Sequence, residues 1–172
     1  MLTVLMECRD QEPELAQSLA VLVAGAVEGL VSDVVVLDHG SKDGSERVAD
    51  AAGCRFHSDW NLGDVLGTVR GEWLLLMEAG ARPQFGWVDE LSEYVTLNRD
   101  PARFSPSRTY RRPLLKRLMQ PSPPLETGIV LSRSQALSVA RADMKLCELA
   151  RGLKSRRLSS EMIPAWAARS PR

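Results

Sequence analysis

The sequence predicts an α/β domain with a mostly parallel central sheet flanked by helices. Three observations carry that expectation. Apolar runs of strand length alternate with helix-period segments through residues 1–97, as expected of parallel strands joined by crossover helices. Two of those runs, 33–37 and 73–77, stop at an acid, Asp38 and Glu78. Right-handed crossovers would bring Cys8, Asp38 and Glu78 to one edge of the sheet, and in open α/β sheets ligands bind outside the carboxyl ends of the strands.

Each element has its own signal. Thr3 to Cys8 reads as a buried strand. A helix over 13–30 follows, with Pro13 in its first turn and Leu15, Leu19, Leu22, Val23 and Val27 at helical spacing. Gly29 is its terminator. The β-branched run 33–37 is a second strand, closed by the polar turn Asp38-His39-Gly40-Ser41-Lys42-Asp43-Gly44. Ser45 is positioned to cap a helix through Ala52, and 54–57 is a third strand. Val65, Leu66 and Val69 line one side of a helical stretch within 61–71. Trp73 to Met77 is a fourth strand, and 83–97 an amphipathic helix with Phe85, Val88, Leu91 and Val95 on its apolar face. In the second half, 102–105 and 128–131 read as strands, 108–120 as basic and partly helical, and 134–153 as a helix. From residue 155 the chain is polar and basic with two prolines, which reads as a loose tail.

Composition narrows the function classes. The chain has 172 residues, 44% apolar and 26% charged, enough for one soluble domain with a real core. Net charge is zero, yet residues 1–80 hold 5 Lys+Arg against 14 Asp+Glu, a net −9, and residues 81–172 hold 17 against 8, a net +9. Mutual complementation of the two halves is the expected reading for the body of the domain. Cys8, Cys54 and Cys147 lack CxxC spacing, and His39 and His57 are the only histidines. Free thiols in a reducing compartment fit better than structural zinc. Glu7, Arg9 and Asp10 interrupt any signal peptide. The apolar stretch 19–27 falls short of the ~20 residues of a membrane span. A cytoplasmic protein, soluble or peripheral at the inner face of the membrane, is expected. Dinucleotide, P-loop and hydrolase-elbow fingerprints are absent from the sequence.

The order Val36-Leu37-Asp38-His39-Gly40-Ser41-Lys42-Asp43-Gly44, then Asn61-Leu62-Gly63, then Leu74-Leu75-Leu76-Met77-Glu78-Ala79-Gly80 resembles the family 2 glycosyltransferases. Their second strand ends in a V-D-D-G-S-x-D-G pattern and a later strand in D-x-D. The resemblance covers roughly residues 2–97. It implies a single Rossmann-like GT-A domain over 1–154, with a nucleotide-sugar half (1–97), a shortened acceptor half (98–154) and a basic flexible tail (155–172). It also implies transfer of a sugar from a nucleotide-sugar donor to a glycan or lipid-linked acceptor. Cys8, Arg9, Asp38, His39, Gly40 and Glu78 are then the donor-binding candidates, and Asp143 is the nearest counterpart of the catalytic base. A divalent metal, Mn or Mg, would sit at the D-x-D, because hard cations prefer carboxylate oxygen. Here that motif has become Glu78-Ala79-Gly80, so Glu78 and His39 are the metal-ligand candidates left, and imidazole suits magnesium poorly. An inactive GT-A binding or regulatory module is the alternative.

Bland readings stand beside these. Asp38 could be a turn aspartate, but its motif favours a ligand role. Asp43 before Gly44 is ordinary turn chemistry. Cys8 packs as a small apolar side chain. The basic cluster Arg103, Arg108, Arg111, Arg112, Lys116 and Arg117 has three readings: a diphosphate clamp built on Arg108, Arg111 and Arg112, an anionic-lipid contact, or a solvated face. Aromatic residues do not interleave with it, which argues against nucleic acid.

Overall fold

The computed structural model describes residues 1–111, 119 and 122–169. Its strands are β1 (Leu2–Cys8), β2 (Val31–Asp38), β3 (Arg55–His57), β4 (Trp73–Glu78), β5 (Arg82–Pro83), β6 (Ala102–Pro106), β7 (Ile129–Ser132) and β8 (Arg156–Ile163). Its helices are α1 (Glu12–Val27), α2 (Ser45–Ala51), α3 (Leu62–Thr68), α4 (Trp87–Leu97), α5 (Arg133–Val139) and α6 (Leu146–Leu149), with a 3-10 turn at Ala165–Ala168. Among the described residues the strands form one sheet in the order β3-β2-β1-β4-β7-β6-β8-β5. β3, β2, β1 and β4 run parallel; β7 turns antiparallel to β4.

Parallel strands covered on both faces read as continuous apolar runs, and β1 and β4 obey this. On one face Val4, Met6, Leu75 and Met77 pack against Leu15, Leu19 and Leu22 of α1 and Trp87 and Leu91 of α4. On the other, Leu5, Leu37, Leu74 and Leu76 pack against Leu62 and Leu66 of α3, Ala136 of α5 and Leu146 and Leu149 of α6. Each such buried side chain is worth about 1.5–3 kcal/mol, so the three central strands are the rigid part of the molecule.

Local chemistry sets the boundaries. Asn61 caps α3, its Oδ1 accepting from Gly63 N (2.9 Å) and Asp64 N (3.3 Å). The N-cap of α2 is Gly44 rather than Ser45, and Asp43 just before it accepts at Oδ1 from the Ser45 N–H and hydroxyl. Asp43 Oδ2 also accepts from Glu12 N, and Glu12 Oε2 accepts from Gly44 N, so the amino ends of α1 and α2 brace each other.

The second half departs from expectation in four ways. Residues 156–163 are not a tail but the strand β8, parallel to β6 and antiparallel to β5. Its alternation was sparse, since only Leu158 and Met162 are buried. Glu90 of α4 holds it, accepting from Ser159 N (2.6 Å) and Ser160 N (2.7 Å). The helix expected over 134–153 is broken between α5 and α6. The break lets Leu146 and Leu149 turn down onto the sheet, and Leu146 N donates to Glu7 at 2.5 Å. Phe85 is fully exposed, because α4 begins only at Trp87, which takes the core position. Finally, ion pairs between the two charged halves are few among the described residues. Among the described residues Arg169–Glu14 is the ion pair that links residues 1–80 with 81–172. No helix among the described residues is long and apolar enough to cross a membrane.

Candidate functional site

The carboxyl ends of β1, β2 and β4 lie side by side. Glu7 is in register with Glu78, and Cys8 with Asp38. Because side chains alternate along a strand, Glu7 and Glu78 share the α3/α6 face, whereas Cys8 and Asp38 share the α1 face.

Asp38 organises the turn that follows β2. Oδ2 accepts from Gly40 N and Ser41 N, both at 2.9 Å, and Oδ1 accepts from Ser41 Oγ (2.5 Å) and Cys8 Sγ (3.4 Å). Ser41 Oγ in turn accepts from Asp10 N (2.9 Å), and Asp10 Oδ1 accepts from Lys42 N (2.7 Å). Asp38 is 4% exposed. Burial alone would raise its pKa, but the hydrogen bonds from Ser41, Cys8 and Gly40 outweigh it and hold the carboxyl below its ordinary value. Burial and the bond to Asp38 push the Cys8 thiol up to about 12, so it stays a protonated donor. Asp38, expected to face a ligand, has its carboxylate oxygens hydrogen-bonded by Gly40, Ser41 and Cys8. At Gly40 (φ +82) a Cβ would meet nothing within 4 Å, so open space lies beside this backbone.

Glu7 was not among the sequence candidates. Its Oε2 contacts His39 Nε2 at 3.1 Å while Oε1 accepts from Leu146 N. His39 stands edge-on to Trp60, with centroids 5.2 Å apart, and Trp60 Nε1 donates to Asp38 O at 3.0 Å. Glu7, Cys8, Arg9, Gln11, His39 and Glu78 line a cleft of about 420 Å³. Pro123, Leu125, Cys147, Ala165, Trp166 and Arg169 also line it. The only sequence signal for Glu7 was an acid closing a buried run, the same signal that marked Asp38 and Glu78. Trp166 and Arg169 were hidden by the expectation of a tail.

The turn after β4 tests the residues against a metal. Gly80 has φ +99, a conformation that L side chains rarely adopt, and a Cβ there would lie 3.1 Å from Ala165 O and 3.2 Å from Ala168 Cβ and Glu14 Cβ. Ser18 of α1 pins the turn, accepting from Gly80 N and donating to Ala81 O, both at 2.8 Å. A side chain where the second carboxylate of a D-x-D would stand would be strained by its positive φ and would have to displace these neighbours by a few tenths of an ångström. Glu7 is committed to His39 and Leu146. Among the described residues no group of three His, Cys, Asp or Glu side chains could hold a metal ion. Among the described residues this donor set does not fit a divalent cation.

The remaining candidates lie elsewhere. Arg108 and Arg111 line a second cavity of about 370 Å³ with Arg157, Glu126 and Glu161, separated from the cleft by Pro123 and Trp166. Trp166 Nε1 donates to Glu126 Oε1 (3.1 Å) and its ring meets Tyr110 edge-on at 6.4 Å. Arg108 pairs with Glu161 at 3.0 Å. Arg103 is structural, donating to Pro124 O and Ala150 O, and burial lowers its pKa. Arg112, Lys116 and Arg117 lie outside the described residues. Asp143 is exposed in the turn before α6, away from the cleft lining.

Comparison with known proteins now bears on this geometry. No family model and no curated protein matches the chain. Solved structures do. Glucosyl-3-phosphoglycerate synthase from Mycobacterium tuberculosis in complex with phosphoglyceric acid is 20% identical with a TM-score of 0.58, covering 79% of this chain and 58% of the synthase. The same synthase with Mn2+, UDP-glucose and phosphoglyceric acid is 21% identical with a TM-score of 0.55, covering 79% and 57%. A mycobacterial protein is 23% identical with a TM-score of 0.58, covering 79% and 54%. The chain has the GT-A fold of these proteins and spans just over half their length.

Proposed function

We propose that the cleft at the ends of β1, β2 and β4 binds a nucleotide-sugar donor and that the chain supports glycosyl transfer. One observation carries the reading. The Asp38–Ser41 turn, rigid and fully hydrogen-bonded, stands beside an open cleft at the sheet edge of a GT-A fold, where α/β proteins bind ligands. UDP and UDP-glucose are the donor-side molecules named in the synthase structures, so a uridine diphosphate sugar is the first donor to test.

In the reaction, the bond from the anomeric carbon to the diphosphate oxygen breaks with its electron pair. The acceptor hydroxyl oxygen bonds to that carbon, and its proton goes to a base. His39, steered by Glu7, is the cleft side chain suited to accept it. Glu78 completes the sugar-facing side. The second cavity, beyond Trp166, forms the acceptor side. Its Arg111 and Arg157 have no ion-pair partner among the described residues, which suits an anionic acceptor.

A catalytically inactive binding module is the second reading, favoured by Gly80 in place of the second acid and by the absence of Asp143 from the cleft lining. Release of nucleoside diphosphate from a panel of nucleotide sugars separates the two. Release that His39→Ala abolishes supports transfer. Donor binding without release supports the module, and absence of donor binding refutes both.

A further inference from the structure

We infer that the cleft recognises the diphosphate through Arg9 and Arg169, without a divalent metal. The inference rests on the donor-binding reading and concerns how this chain replaces a cation.

A diphosphate entering the cleft meets two carboxylates, Glu7 and Glu78, at neighbouring register positions. The diphosphate itself brings negative charge into this lining, so cationic groups are needed beside it. A metal would ordinarily offset it, but Gly80 supplies no second carboxylate. The residues beside this glycine are the 3-10 turn Ala165–Ala168, whose Ala165 carbonyl and Ala168 methyl crowd Gly80. The same segment delivers Arg169 into the cleft lining. It therefore packs over the Gly80 turn and supplies a guanidinium.

Arg9 enters the lining from the loop directly after β1. Its side chain is exposed and has no hydrogen bond or ion pair among the described residues. Arg169 Nε pairs with Glu14 at 2.8 Å, while a guanidinium carries five N–H donors, so its terminal nitrogens remain to serve an oxyanion. The two guanidiniums present planar forks matched to phosphate oxygens.

The test titrates the full chain with UDP and, separately, with inorganic pyrophosphate, each in EDTA and in Mn2+. The inference expects both to bind with the same affinity in either buffer. Arg9→Ala and Arg169→Ala should each weaken binding by about tenfold or more, the scale of a lost charge-assisted contact. Glu14→Gln breaks the same ion pair but keeps the arginine, and should leave affinity at or above the parent value. Equal losses in Glu14→Gln and Arg169→Ala would assign the effect to the placement of the segment and overturn the arginine's role. Binding that appears only with Mn2+ overturns the inference and leaves the donor-site reading intact. EDTA-insensitive pyrophosphate binding with no gain for UDP supports the inference while sinking the nucleotide reading. No binding of either probe overturns both.

Discussion

The turn after β2 and the turn after β4 begin alike, with an acid closing a buried strand, and end differently. After β2, Asp38 gathers Gly40, Ser41 and Cys8 around its carboxylate, so the motif serves shape. After β4, the peptide is pinned by Ser18 and crowded by Ala165 and Ala168, so a side chain at the motif's second acid position would be strained. A sequence motif at a strand end therefore fixes position more securely than chemistry. The chemistry depends on what packs above the turn, and here that is a segment some 85 residues downstream in the chain.

The comparison is broken most strongly by removing Asp38. Asp38→Ala strips four donors of their acceptor and should destabilise the fold by about 2–4 kcal/mol, measured by chemical denaturation. An unchanged midpoint would show that the turn does not depend on the carboxylate. The same group predicts a pH dependence. Its pKa is held below the ordinary value, as are those of Asp43, chiefly through the Ser45 hydroxyl, and Glu90, where bonds from Ser160 and Ser159 outweigh burial. These acids contribute stability that is present above the unfolded values of about 3.9 for Asp and 4.3 for Glu. It is lost as pH falls through the lower folded values. Asp38→Asn should flatten that acid limb in a Trp-fluorescence titration.

A second, smaller effect sharpens the other turn. Gly80→Ala puts a Cβ at positive φ against Ala165 and Ala168, and should cost about 1–3 kcal/mol. Gly80→Asp should cost at least as much and gain no Mn2+ response in a thermal melt. Stabilisation of Gly80→Asp by Mn2+ would show that the turn can still host a metal. Trp166→Ala removes the wall between the two cavities and should weaken UDP binding several-fold while leaving the sheet intact, read by calorimetry and circular dichroism. The smallest effect belongs to Asp143→Ala, within about 0.5 kcal/mol in stability and without loss of transfer; lost transfer would return Asp143 to the base's role.

Much of the first half was legible because its signals are local. Apolar runs such as Val34-Val35-Val36-Leu37 and Trp73-Leu74-Leu75-Leu76-Met77 are buried on both faces whatever surrounds them. The turn Asp38–Gly44 carries its own hydrogen-bonding groups. The short β7 was also visible, being wholly apolar up to its capping Ser132. What escaped depends on contacts distant in sequence. β8 is polar along most of its length and becomes a strand because Glu90 and the β6 edge satisfy its backbone. The α5–α6 break answers to Glu7, 139 residues away. Glu7 itself entered the site only through register with Glu78. The missing acid was readable at Gly80, whereas the crowding around it comes from Ala165 and Ala168.

The most direct test of the central claim is a crystal structure of the chain grown with UDP. The account predicts the nucleotide in the cleft bounded by His39, Glu78 and Trp166, with its diphosphate between Arg9 and Arg169. UDP bound in the Arg111–Arg157 cavity instead, with the cleft empty, would contradict it.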